Sequence, residues 1–140
     1  MKILLDTNVI LDFFLSREPG GASARRIFEL VYQEKISAYA TANCITDIYY
    51  IVAKRLGGNM AKGVLQSLFN LIEIVDLSGR DCIVSLHVPI QDYEDAVVVA
   101  CAKKSEIDCI VTNDADFLTA ELDSVSVVAP ADLLKSIDAS

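Results

Sequence analysis

Ile3-Leu4-Leu5-Asp6-Thr7-Asn8-Val9-Ile10 is the stretch on which the fold turns. A short apolar run stops at an acid and a helical pattern begins directly after it, so Asp6 sits where a strand gives way to a helix. Acidic segments recur later in a similar context. Asp47 stands in Cys44-Ile45-Thr46-Asp47-Ile48-Tyr49-Tyr50, Asp95 in Asp92-Tyr93-Glu94-Asp95-Ala96-Val97-Val98, and Asp114 and Asp116 in Val111-Thr112-Asn113-Asp114-Ala115-Asp116-Phe117. Segments so far apart meet only if the fold gathers them, and gathered carboxylates repel and raise one another's pKa unless a counter-charge is present. A divalent cation is the natural counter-charge.

Outward from Asp6, short apolar runs rich in β-branched residues alternate with longer helical patterns. That alternation marks an α/β chain with a parallel sheet and crossover helices. Strands are expected from Lys2 to Leu5, Ile36 to Ala40, Ile72 to Asp76, Asp108 to Thr112 and Val125 to Val128. Helical patterns run from Val9 to Leu15, Ser23 to Glu34, Asn43 to Leu56, Met60 to Leu71, Gly79 to Leu86, Tyr93 to Lys104 and Pro130 to Ile137. Gly57-Gly58 can end one helix and Asn59 cap the next, while Ser78 and Asp92 suit the starts of two more. The one clear loop, Glu18-Pro19-Gly20-Gly21, is too short to divide the chain, so residues 1–140 are expected to form a single domain.

Composition narrows the function. The chain has 140 residues, 53% of them hydrophobic, enough for a compact core. No apolar run approaches the roughly 18 to 20 residues that cross a bilayer, and the N-terminus lacks a signal-peptide layout, so a cytoplasmic protein with no membrane association is expected. Cys44, Cys82, Cys101 and Cys109 are scattered among apolar neighbours, which argues against a thiolate metal site. His87 is the sole histidine, which leaves none for a histidine-rich zinc site. A net charge of −8 argues against a broad basic face for nucleic acid. It leaves room for a nuclease, because acids gathered around cations overstate the charge a substrate meets. Local basic groups remain at Arg25-Arg26, Lys54-Arg55 with Lys62, and Lys103-Lys104, each with a plain reading as solvated helix residues.

In a doubly wound sheet, ligands bind beyond the carboxyl ends of the strands, where strand order reverses. Asp6 follows the first strand and Thr112-Asn113-Asp114 the fourth, Asp95 falls in the first turn of the helix before the fourth, and Asp47 lies about one turn into the helix after the second. Carboxylates without histidine or thiolate suit hard, oxygen-seeking ions, so Mg²⁺ or Mn²⁺ is expected. Such ions orient a phosphodiester, stabilise charge on its oxygens and activate water, which points to phosphodiester hydrolysis. Each acid also has a structural reading. Asp95 can close a capping box begun by Asp92, Asp114 or Asp116 can cap a short helix after the fourth strand, and Asp12 and Asp47 can be exposed helix residues.

Taken in order, Leu5 to Asp12, Ile45 to Tyr50, Asp92 to Ala96 with the apolar helix after it, and Ile110 to Phe117 resemble the successive motifs of PIN domains. The ordered set spans nearly the whole chain. The resemblance implies a three-layer α/β/α fold with a central, mostly parallel sheet, and a Mg²⁺- or Mn²⁺-dependent endoribonuclease, most often the VapC-like toxin of a toxin–antitoxin pair. By motif, Asp6, Asp47, Asp95 and one or both of Asp114 and Asp116 match the family's acidic positions, with Thr7 or Asn8 and Thr112 or Asn113 orienting them. The second position is usually Glu in that family; Asp47 is one methylene shorter, so a water can stand between it and an ion. A homodimer and a protein antitoxin are further implications. Ile48 to Val52 with Phe13, Phe14 and Leu15 would offer the apolar surface for such contacts.

Other readings fit less well. Aspartyl-phosphate phosphatases need a second acid two residues after the first, where this chain has Asn8. A receiver domain wants paired acids after the first strand and a phosphoacceptor after the third; Asp76 has no such pair before it. The non-enzymatic alternative is a PIN-like module that binds metal or RNA without cutting.

Overall fold

The computed structural model describes residues 1–123 and 125–139. Strand β1 (Lys2–Leu5) runs into helix α1 (Thr7–Phe14), followed by α2 (Gly21–Tyr32), β2 (Ser37–Thr41), α3 (Ala42–Leu56), α4 (Gly58–Leu71) and β3 (Glu73–Val75). Then come α5 (Gly79–Val84) with a 3₁₀ turn (Ser85–His87), α6 (Tyr93–Lys104), β4 (Cys109–Val111), α7 (Ala115–Leu118), β5 (Ser126–Val128) and α8 (Pro130–Asp138). All five strands pair in parallel, in the order β3-β2-β1-β4-β5. The chain winds from β1 out to β3 on one side and returns to lay β4 and β5 on the other. The reversal falls between β1 and β4, where Leu5 pairs with Val111.

Alternation along the central strands builds two cores. Ile3 and Leu5 of β1 and Cys109 and Val111 of β4 point to the face covered by α1, α2, α3, α4 and α8, whereas Leu4 and Ile110 point to the opposite face with Val99 of α6 and Phe117 of α7. This is a three-layer α/β/α fold. Phe13 stacks on Phe28 with ring centroids 4.2 Å apart, and Phe14 packs edge-on against the same ring. Helix α6 is buried from Asp95 to Ala102 on every side, a helix enclosed by the protein and not a surface amphipath.

The sequence patterns place every strand to within one residue or so. The helices differ where caps decide. Asp6 accepts the Thr7 N–H, so α1 starts at Thr7 and not Val9. Asn59 does not cap α4: Gly57, at φ +89°, turns the chain and α4 opens at Gly58. The pattern expected as one helix from Gly79 to Leu86 tightens into a 3₁₀ turn after Val84. Ser78 and Asp81 form a reciprocal capping box at α5, and Lys104 of α6 bonds both Asp81 and the Asp76 carbonyl, tying the two helices together.

Candidate metal and nucleic acid site

Asp6 stands at the topological switch point with its carboxylate fixed from three directions. Its Oδ1 accepts the Thr7 N–H at 2.9 Å, and its Oδ2 accepts the Thr112 hydroxyl at 2.7 Å and the Asn8 amide at 3.3 Å. Asn8 Oδ1 in turn accepts the Asn113 N–H at 3.1 Å, and the Asp6 N–H donates to the Val111 carbonyl at 2.9 Å. The bonds to Val111, Thr112 and Asn113 join residues more than a hundred positions apart because β1 and β4 are neighbours in the sheet. Burial nonetheless wins at Asp6: desolvation pushes its pKa up, beyond what the Thr112 and Thr7 bonds restore, and the nearby Asp114 charge adds to the rise.

Around it opens a cleft of about 550 Å³ into which Asp47, Asp92, Glu94, Asp95 and Asp114 also face. Asp95, in the first turn of α6, donates its N–H to Asp92 Oδ1 at 3.1 Å and is 9% exposed. Its pKa is pushed up to about 7, first by desolvation, then by the charges of Asp92, Asp6, Asp114 and Glu94. Asp114 caps α7, accepting the Asp116 N–H at 3.0 Å, while its own N–H donates to the Thr112 hydroxyl. Asp47 is exposed on α3, beside Tyr50 and Ile51 of the same wall. Between α1 and α3 the Cys44 thiol is raised to about 11 by burial, which outweighs the lowering by the Thr7 and Thr41 side chains, and the charges of Asp6 and Asp47 add a smaller rise. It is a buried thiol at neutral pH, like its counterparts Cys101 and Cys109.

The structure thus brings Asp6, Asp47, Asp95 and Asp114 to one cleft, with Thr7, Asn8, Thr112 and Asn113 behind them. Asp116 lines an adjoining depression instead, together with Asp92, Asp95, Asp114 and Thr119. Among the described residues, no three His, Cys, Asp or Glu side chains are drawn close enough to grip an ion as they stand.

Two residues depart from the sequence reading. Asp12 is not an exposed helix residue: it is buried, with Oδ1 accepting Arg17 Nε at 2.9 Å and Oδ2 accepting the Asn113 amide at 2.7 Å. Arg17, passed over in favour of the basic pairs, lines the acidic cleft and donates through Nη2 to the Asn8 carbonyl at 3.1 Å. Its spacing of five from Asp12, across the bend after α1, is the only sequence signal for it. The apolar stretch is also divided by the fold. Ile48 and Val52 are fully buried, and Phe13, Phe14 and Leu15 pack on the core, which leaves Tyr50 and Ile51 exposed at the cleft.

The model of the PIN domain family matches residues 2–116. The chain is 22% identical over 127 residues to Ribonuclease VapC1 of Aquifex aeolicus, covering 87% of this chain and 88% of that one. Its fold is similar to Mycobacterium tuberculosis VapC20, a sarcin-ricin loop cleaving toxin, with a TM-score of 0.68 at 15% identity over 88% of this chain and 98% of that one. It is similar also to VapBC2 from Rickettsia felis, solved bound to a DNA fragment from its promoter, with a TM-score of 0.67 at 17% identity, 92% of this chain and 98% of that one.

Proposed function

The chain belongs to the PIN domain family, and from that premise we propose that it is a divalent-cation-dependent endoribonuclease of the cytoplasm, the toxin of a toxin–antitoxin pair. One observation carries the reading: four carboxylates from separate elements face one cleft at the switch point, two of them, Asp6 and Asp95, with proton affinities raised by burial and by neighbouring carboxylates. A site that strains to stay ionised when empty is built for positive charge. The ribonuclease and toxin names of its relatives support the choice of substrate.

The donor set is all oxygen and fits Mg²⁺ or Mn²⁺. Asp6, Asp95 and Asp114 would hold the ion, with Asp47 reaching it directly or through water and Asp116 in the flanking depression. When bound, such an ion neutralises phosphate charge and lowers the pKa of water. The protein's own part is orientation. Thr7, Asn8 and Thr112 hold the Asp6 carboxylate in one rotamer, and Asn8 and Asn113 lock the ends of β1 and β4 so that Asp114 keeps its distance from Asp6. Asp95 would give up its proton as positive charge arrives, so cation binding near neutral pH would release protons. His87 is exposed on the 3₁₀ turn, outside the residues that line the cleft, so no histidine serves there as base or nucleophile among the described residues. Hydrolysis leaving 5′-phosphate and 3′-hydroxyl ends is the expected outcome.

The test is cleavage of single-stranded RNA in Mn²⁺, abolished by chelation, with end analysis of the products. Ends bearing 2′,3′-cyclic phosphate would overturn the hydrolytic mechanism. Calorimetric titration gives a second readout: Asp6→Asn and Asp95→Asn should each abolish Mn²⁺ binding. Unchanged Mn²⁺ binding in both variants would overturn the metal assignment. Mn²⁺ binding by the wild-type protein without turnover would favour a non-catalytic module, the reading to which the short Asp47 side chain lends weight. For its partners, the proposal is a homodimer and an antitoxin that sets an Arg fork against the carboxylates, in the place of the cation.

A further inference from the structure

Arg17 stands where two surface depressions meet. The acidic cleft ends at Arg17 and Asn8, and the same two residues begin a second groove, also of about 550 Å³, which continues past Gly20 and Asn113 to Ser23 and Pro130. The two spaces differ in chemistry. The first is crowded with carboxylates. In the second the single acid is Asp12, which is buried and already paired with Arg17. An anionic strand held at the carboxylates by a cation therefore meets Arg17 on leaving the cleft in this direction, and meets neutral surface beyond it.

We infer that Arg17 is a positioning residue for the substrate: it binds the RNA phosphate next to the one being cut and directs the strand into the second groove. This inference rests on the ribonuclease reading above. The guanidinium is held in advance, Nε by Asp12 at 2.9 Å and Nη2 by the Asn8 carbonyl at 3.1 Å, while Nη1 has no protein acceptor among the described residues. The side chain is 34% exposed, so solvent and ligand reach it. An arginine fixed along one edge loses little rotamer freedom on binding and keeps donors for a phosphate oxygen, a geometry that lysine does not offer. Asn8 couples the two tasks, because its amide supports Asp6 while its carbonyl carries Arg17. Phosphate position and carboxylate position are set from one residue.

The experiment uses the full chain and a short single-stranded RNA in which one phosphate at a time is replaced by an uncharged methylphosphonate, stepped outward from the cut site. Binding is read by fluorescence anisotropy and cleavage by KM and kcat. Arg17→Gln should raise Kd and KM about tenfold, the loss of one charged contact worth about 1.4 kcal/mol, with kcat changing far less. It should also lower the slope of log K against log salt by about one. Neutralising one flanking phosphate should weaken the wild-type protein equally and leave Arg17→Gln unaffected. The double variant Asp12→Asn/Arg17→Gln, which leaves no buried carboxylate without its partner, supplies the same cycle if the single Gln variant folds poorly. Additive losses at every phosphate position, with no position coupled to residue 17, would overturn the inference. A protein that binds with this coupling yet cuts nothing would sustain Arg17's role and overturn the nuclease reading. Cutting without coupling would do the reverse, and neither binding nor cutting would end both.

Discussion

At the scale of single residues, Asp95 is the group whose protonation the fold has moved furthest toward neutrality. The unfolded chain ionises it near the ordinary value of 3.8, whereas the folded, cation-free protein keeps the proton to about pH 7. The folded state therefore binds more protons through that window. Its stability is full below pH 4 and falls as pH rises toward 7, the reverse of a salt-bridged acid. In chelator, thermal melts should drop from pH 5 to pH 8 in the wild-type protein, and Asp95→Asn should flatten the drop. The variant should gain on the order of 1–2 kcal/mol at pH 8, after allowance for the water that reaches the cleft. A variant that loses stability with pH just as the wild type does would remove Asp95 from the account. Asp6, Asp95 and Asp114 were legible in the sequence because each follows a strand or opens a helix, whereas Asp47, about one turn into α3, was legible only from the order of the motifs. Asp12 and Arg17 were not: their meaning lies in a bond across a bend and a second bond to Asn113, one hundred and one positions away.

Between elements, two glycines carry constraints that side chains cannot meet. Gly57 joins α3 to α4 at φ +89° with open space around it, so Gly57→Ala should cost about 1–3 kcal/mol by backbone strain alone. Gly20 has an ordinary backbone but no room: a Cβ there would lie 2.2 Å from Asp12 Oδ2, an atom already committed to Asn113. Gly20→Ala should cost about 1–3 kcal/mol as well, and by displacing Asp12 it should weaken RNA binding, which Gly57→Ala should not. Urea midpoints and RNA binding, measured on both variants, separate the two effects; equal binding by both would show that Asp12 yields without moving Arg17. Both breaks were visible as glycine pairs. Which glycine turns the chain was not, because a dihedral angle decides it and neighbouring residues leave no trace of that choice.

For the molecule as a whole, the net charge of −8 makes the empty protein the strained form. Mn²⁺ at about a hundred times its Kd should stabilise the folded state by about 2.7 kcal/mol, seen as a rise in the melting midpoint, and Asp6→Asn should abolish the rise. A midpoint indifferent to Mn²⁺ in the wild type would speak against a folded-state cation site. Tyr50, 70% exposed, and Ile51, 41% exposed, adjoin the cleft and offer an apolar rim to a covering chain. Co-expression with the genomic neighbour should yield a complex larger than a monomer, with RNA cleavage suppressed; a monomer whose activity ignores that neighbour would dispose of dimer and antitoxin together. Alternating apolar runs announced a parallel sheet with helices on both faces. They could not announce the order β3-β2-β1-β4-β5, since each central strand is apolar on both faces and local pattern does not distinguish one neighbour from another.

That order has a consequence for how the protein is made. Asp6 leaves the ribosome 106 residues ahead of Thr112, yet the Thr112 hydroxyl is what fixes the Asp6 carboxylate, across a strand pair that exists only after β4 has been synthesised. A nascent chain, or a fragment released early, carries the opening motif without its other half. Under the proposed activity the newborn chain cannot hold its opening carboxylate in place for cutting until β4 docks on β1.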